Sequence, residues 1–213
     1  MRHCYRHAAA LAPVVWFLLI PPLSWAQSDT KTFTAPDGAF SFRYWNNLVR
    51  CKQLEGEYAW DPPEICMAYV PVCDDLQGRE RQTSVACFAY PRNKFTDTPA
   101  FEAATISVEV VDDRNTEKKC RDDPNSTEEP AGTVRINGVS FAVFEGGDSG
   151  TGQSTEGHIY RTFHRGKCYQ LGINVATSDV TTNEPPVREL KQSDLNEVQG
   201  KLQQAVNSFR FLK

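Results

Sequence analysis

The sequence has no excess of basic charge. Lys and Arg together number 23 against 27 Asp and Glu. A nucleic-acid binder would carry a clustered basic face, and a polybasic membrane-surface protein a dense Lys/Arg run; neither is present. Only one long apolar run occurs, Ala8 to Ile20, with Pro13 inside it. No C-x-x-C pair is found, and the closest cysteines after the first turn of the chain are Cys66 and Cys73, which is too open for a zinc ligand cluster. There is no EF-hand loop, P-loop or dinucleotide fingerprint. Histidine is scarce: beyond residue 26 only His158 and His164 remain. We find no internal repeat and no linker long enough to divide the chain.

What is present begins with a leader. Arg2 and Arg6 precede the apolar run, Pro21-Pro22 end it, and Ser24 and Ala26 supply small residues before a cut after Ala26. This is the layout of a signal peptide covering residues 1–26. The run is shorter than the roughly 20 residues that span a bilayer, so cleavage is expected instead of a retained anchor. Cys4 lies before the run and cannot serve as a lipidated cysteine. Residues 27–213 are then one exported domain, secreted or periplasmic, with no stable membrane insertion. The leader holds two of the 23 basic residues and no acid, which leaves a net charge of −6.

Six cysteines follow the leader: Cys51, Cys66, Cys73, Cys87, Cys120 and Cys168. An even count in an exported chain reads as structural disulfides. The sequence does not choose among the possible pairings. The local choice is Cys51–Cys66 and Cys73–Cys87, with a long closure Cys120–Cys168.

Pro36-Asp37-Gly38 is a turn signal, and Phe40, Phe42 and Tyr44 alternate with small or polar residues after it. A hairpin with an aromatic stripe is expected. Residues 51–90 form a cysteine-rich excursion ending in a strand from Ser84 to Tyr90. Thr105 to Val111 alternates Ile106, Val108 and Val110 with Ser107 and Glu109, which predicts a half-buried strand. Asp112 to Pro130 reads as a solvated connection with a short helix around Thr116 to Arg121; Asn125-Ser126-Thr127 within it matches a glycosylation acceptor.

A β-meander follows. Asn137-Gly138 is the strongest short hairpin signal, flanked by Val134, Ile136, Val139, Phe141 and Val143. Gly146 to Gly157, with its glycines, reads as a mobile loop. His158 to Phe163 and Cys168 to Ala176 flank a turn at Arg165-Gly166. A two-residue loop there places His158, Tyr160 and Thr162 on the face of Tyr169, Leu171, Ile173 and Val175; a three-residue loop places Ile159, Arg161 and Phe163 there. Ser193 is the expected N-cap of a closing helix, with Asp194 in its first turn. Leu195, Val198, Leu202, Ala205, Val206 and Phe209 recur at helical spacing. The fold class is α+β: an antiparallel sheet of about six to seven strands, packed by an amphipathic C-terminal helix and stapled by disulfides.

Chemistry-bearing patterns are few. Gly147-Asp148-Ser149-Gly150 resembles the nucleophile tetrapeptide of chymotrypsin-like proteases, but Thr151 and Gly152 depart from that pattern. Those enzymes also place histidine and aspartate before the serine, whereas His158 and His164 follow Ser149. A small hydrolase using Ser149, or Ser154, with His158 or His164 is the alternative functional reading. The two histidines stand six residues apart, roughly 20 Å along a strand, too far to share a metal ion. Asp74-Asp75, Asp112-Asp113, Asp122-Asp123 and Glu128-Glu129 sit in turn-rich stretches where they keep loops solvated. Phe33, Phe40, Phe42, Tyr44, Trp45 and Trp60 line either a core or a ligand groove.

The run Phe33 to Tyr44 resembles the opening of PsbP-like domains, which start with an aspartate-glycine turn, alternating aromatics and a Tyr-Pro step; Trp45 stands where that proline would be. The closing helix with Ser208-Phe209-Arg210-Phe211 is similar to the family's end. The middle of the chain, with Trp60, Cys66, Cys73 and Cys87, is instead similar to uncharacterised exported bacterial proteins. The resemblance implies an antiparallel sheet flanked by helices and an accessory role. It carries over no site residue. The functional expectation is an exported, non-enzymatic domain that binds a partner protein or a small ligand in the cell envelope. No catalytic, cofactor or metal residue is assigned.

Overall fold

The computed structural model describes residues 29–51, 82–90, 100–112, 114–122, 130–150, 153–178 and 190–213. The expected signal peptide, most of the expected cysteine-rich excursion with Trp60, and the Asn125 motif lie outside the described residues.

The chain opens with a hairpin of β1 (Thr30–Thr34) and β2 (Phe40–Trp45), in which Phe33 pairs with Phe42. The turn forms as its residues dictate. Gly38 adopts φ 70°, its N–H donates to Ala35 O at 2.8 Å, and Asp37 Oδ1 accepts from Ala39 N at 3.0 Å. Next come β3 (Val49–Arg50), β4 (Gln82–Ala89) and β5 (Phe101–Val111). Helix α1 (Glu117–Arg121) follows, its Thr116 hydroxyl accepting from Lys119 N at 3.3 Å. Strands β6 (Gly132–Ile136), β7 (Val139–Gly150), β8 (Gln153–His164) and β9 (Lys167–Ser178) form the meander. Helix α2 (Gln192–Asn207) and β10 (Arg210–Phe211) close the chain.

The α+β class holds, with the strands divided between two antiparallel sheets. Seven strands run in the order β3-β4-β5-β9-β8-β7-β6, and β1-β2-β10 make a separate small sheet. The aromatic stripe joins them. Phe33 and Phe42 meet Phe88 of β4 edge-on at 5.6 and 5.7 Å, while Phe40 stacks on Phe209 at 5.1 Å and Phe209 meets Phe141 at 5.9 Å. Helix α2 completes this core with Val198, Leu202, Ala205 and Val206. Burying each of the Val, Leu and Phe side chains contributes roughly 1.5–3 kcal/mol. Among the described residues, no helix is long and apolar enough to cross a membrane.

Four expectations are corrected. Residues 146–150 and 153–157 are strand, not loop: they form the far halves of β7 and β8, paired through Ser149↔Ser154 and Gly150↔Gln153. The glycines serve strand packing. A Cβ on Gly157 would stand 2.0 Å from Ile173 O and 2.4 Å from Asn174 Oδ1, so only glycine lets β9 close on β8 there. Strand β5 is not half-buried: Ser107 is 3% and Glu109 8% exposed. Its polar face carries a hydrogen-bonded row, with Arg161 Nε donating to Gln170 Oε1 at 2.7 Å and Gln170 Nε2 to Glu109 Oε2 at 2.8 Å. The connection after β5 is not merely solvated. Arg114 is buried and donates to the carbonyls of Lys119 and Asp122, and Cys120 packs with Cys168, Val111 and Phe163. Finally, helix α2 starts before Ser193: Lys191 is its N-cap, without a side-chain hydrogen bond, while Asp194 does sit in the first turn.

Cys120 and Cys168 are bonded, with Cα atoms 5.4 Å apart, which pins α1 to β9. Cys51 and Cys87 each take part in a disulfide as well, and no such bond joins the two to each other among the described residues. Cys66 and Cys73 lie outside the described residues, as do the pairings expected for them.

Candidate functional site

The register of the meander decides what faces helix α2. Arg165 and Gly166 take φ 50° and 79°, and His164 pairs directly with Lys167. This is the two-residue loop, whose primed turn matches the twist of the strands. Tyr160 and Thr162 therefore share the inner face with Tyr169 and Leu171, and are 5% and 2% exposed.

The same register sets up successive cross-strand rows. Val143, Tyr160 and Leu171 form one; Glu145, His158 and Ile173 form the next; Gly147, Glu156 and Val175 form the third. The face thus changes from apolar to acidic along its length. Above the acidic end lies α2. Asn196, Gln199, Gly200 and Gln203 recur at three- and four-residue steps, a polar stripe beside the apolar one. Between helix and strands is a cleft of about 710 Å³.

The cleft has a sorted chemistry. Glu145, Glu156 and His158 are exposed within it, Ile173, Val175 and Leu202 make its apolar walls, and the α2 amides border it. Among its described lining residues there is no Lys or Arg. Among the described residues, the side chains of Glu145, Glu156 and His158 form no ion pair and no hydrogen bond. The amides are held in place: Tyr160 Oη donates to Gln203 Oε1 at 2.7 Å, and Gln203 Nε2 donates to Asn207 Oδ1 at 3.0 Å. Burial pushes the Tyr160 phenol up, partly offset by its bond to Gln203, so it stays a neutral donor. Among its described lining residues there is no Ser, Thr or Cys, and the side chains facing it supply acceptors and negative charge.

The serine–histidine pairs are not brought together. Ser149 sits opposite Ser154, and His158 follows Ser154 by four residues, roughly 13 Å along β8. His164 lies at the other end of that strand, stacked on Phe211 at 3.9 Å. Desolvation, with Arg165 nearby, holds its imidazole below the ordinary histidine range. Hydrogen-bond reach for an activated nucleophile is about 3 Å. Among the described residues no three His, Cys, Asp or Glu side chains could hold one metal ion.

The described members of the aromatic set form core, not a groove, and Trp60 lies outside the described residues. Phe33, Phe40 and Phe42 are buried, Tyr44 packs on Phe88 at 4.1 Å, and Lys201 Nζ covers Trp45 at 5.1 Å. Sequence reasoning missed Glu145, Glu156 and the α2 amides. The amide spacing on α2 was the available signal; Glu156 was hidden by reading Gly146 to Gly157 as a loop.

The described architecture is that of an α+β protein with two antiparallel sheets under a C-terminal helix. Two solved structures are similar to it at a low level. One is a crystal structure from Bacteroides thetaiotaomicron, at TM-score 0.47 and 12% identity, covering 87% of this chain and 49% of that one. The chain thus spans about half the length of that protein. The other is the solution structure of cyanobacterial PsbP (CyanoP) from Synechocystis, at TM-score 0.41 and 10% identity, covering 89% of this chain and 96% of that one. No family model and no curated relative matches the chain.

Proposed function

We propose that this protein is an exported, non-enzymatic accessory domain of the cell envelope that holds a cationic group in the α2–β8 cleft. The observation that carries the reading is the cleft itself. Two carboxylates, Glu145 and Glu156, and a row of amides face a space of about 710 Å³ whose described lining residues include no Lys or Arg. Such a site attracts an ammonium or guanidinium group by charge and hydrogen bonding. Its apolar walls accommodate the aliphatic stem of a Lys or Arg side chain. Export is supported by the leader pattern of residues 1–26 and by the Cys120–Cys168 disulfide, since such bonds persist in oxidising compartments.

The test is a titration with short peptides, read by amide NMR. A Gly-Lys-Gly peptide is expected to shift amides of β7, β8 and α2 in a saturable way, while Gly-Glu-Gly leaves them unmoved. Equal responses, or none, would remove the reading.

A further inference from the structure

A second cavity, of about 300 Å³, lies on the outer face of the small sheet, where α2 runs into β10. We infer that it is a binding site for a phosphate-class oxyanion, with Arg43 and Arg210 as its charged ligands.

The backbone sets the geometry. On β2, Ser41 and Arg43 point to the same side, two residues apart. Arg210 pairs with Ser41 across β10, and Thr32 pairs with Arg43 across β1. Arg43 and Arg210 are therefore diagonal neighbours on one face, with Cβ atoms roughly 7–8 Å apart. That spacing lets two guanidinium groups flank one oxyanion. Arg210 is already oriented, its Nε donating to Ser41 Oγ at 3.1 Å. Thr32, Ser41, Asn207 and Ser208 bring further hydrogen-bonding groups to the cavity.

Its charge is unbalanced. Among the described residues, no Asp or Glu lines the cavity and neither arginine forms an ion pair. The C-terminal end of α2 offers about half a negative charge, which leaves an excess of roughly +1.5. The carbonyls at that end are also already engaged. Asn137 Nδ2 donates to Asn207 O and Phe209 O, and Ser208 Oγ donates to Ala205 O. The helix end therefore does not account for two arginines. A phosphate monoester carries about −1.5 to −2 at neutral pH and matches the excess; a carboxylate supplies only one charge. This site is on a different face from the acidic cleft and does not depend on the reading of that cleft.

The experiment uses the whole mature protein at neutral pH, with the arginine Nε–Hε signals read by NMR. Inorganic phosphate is the probe, acetate the monoanion control. Saturable shifts of the Arg43 and Arg210 signals are expected with phosphate and not with acetate. Arg43→Gln is expected to weaken binding at least tenfold, and the double variant with Arg210→Gln to abolish it. Lys118→Gln, which removes the same charge from the exposed face of α1, leaves it unchanged. Vesicles containing phosphatidic acid distinguish the sources. Arg43-dependent vesicle binding places the phosphate on a lipid, and phosphate binding without it places the phosphate on a soluble molecule; either result supports the site. An equal response to acetate, a response that survives the double variant, or no saturable shift (an adventitious ion only) overturns it.

Discussion

Asn137 donates to the main-chain carbonyl of Phe209 at 2.7 Å, and the same amide nitrogen reaches Asn207 O at 3.0 Å. The turn residue that closes the β6–β7 hairpin thus also ties down the end of α2, placing Phe209 among Phe40 and Phe141. Asn137 serves both ends because it tolerates φ 46°. Asn137→Gly keeps that conformation and removes only the amide. Losing these bonds is expected to cost about 1–3 kcal/mol, measurable as a lower urea midpoint at unchanged slope.

The Cys120–Cys168 bond closes a long loop between two fully buried sulfurs. The Cys120→Ala/Cys168→Ala variant keeps the other cysteines intact and is expected to lose about 3–4 kcal/mol. Hydrogen exchange should accelerate first in α1, which the bond anchors to β9.

His164 gives a pH dependence with a definite sign. Its folded-state pKa lies below the unfolded value of about 6.5. The unfolded chain therefore takes up the proton more readily. The stability contribution is complete above pH 6.5 and falls as the pH drops through the folded pKa. Melting temperature should decline between pH 7 and 5 in the wild type and decline less in His164→Gln. An identical slope in both would exclude this residue as the source.

Gly200 lies inside α2, and a Cβ there would meet nothing within 4 Å. Gly200→Ala is expected to raise stability by about 1 kcal/mol, read by chemical denaturation. The same open space makes Gly200→Trp a means of filling the cleft without disturbing the core.

Local chemistry made much of the fold legible. Pro36-Asp37-Gly38, Asn137-Gly138 and the spacing of Val198, Leu202 and Val206 each point to one structure, and the structure adopts it. What failed depends on contacts distant in sequence. Ser107 and Glu109 look solvent-facing until Gln170 and Arg161 arrive on neighbouring strands. Gly157 looks like a loop residue until the close approach of Ile173 is known. The cleft was illegible for the same reason. Glu145 and His158 become neighbours only through the β7–β8 register, and the amides reach them only once α2 docks.

The central claim, that the α2–β8 cleft receives a cationic group, is tested most directly by titrating Gly-Lys-Gly into the wild type, Glu145→Gln/Glu156→Gln and Gly200→Trp. The account predicts saturable binding to the wild type, a loss of at least tenfold in the acid double variant, and none in Gly200→Trp, with all three equally folded. Binding that persists unchanged in both variants would contradict it.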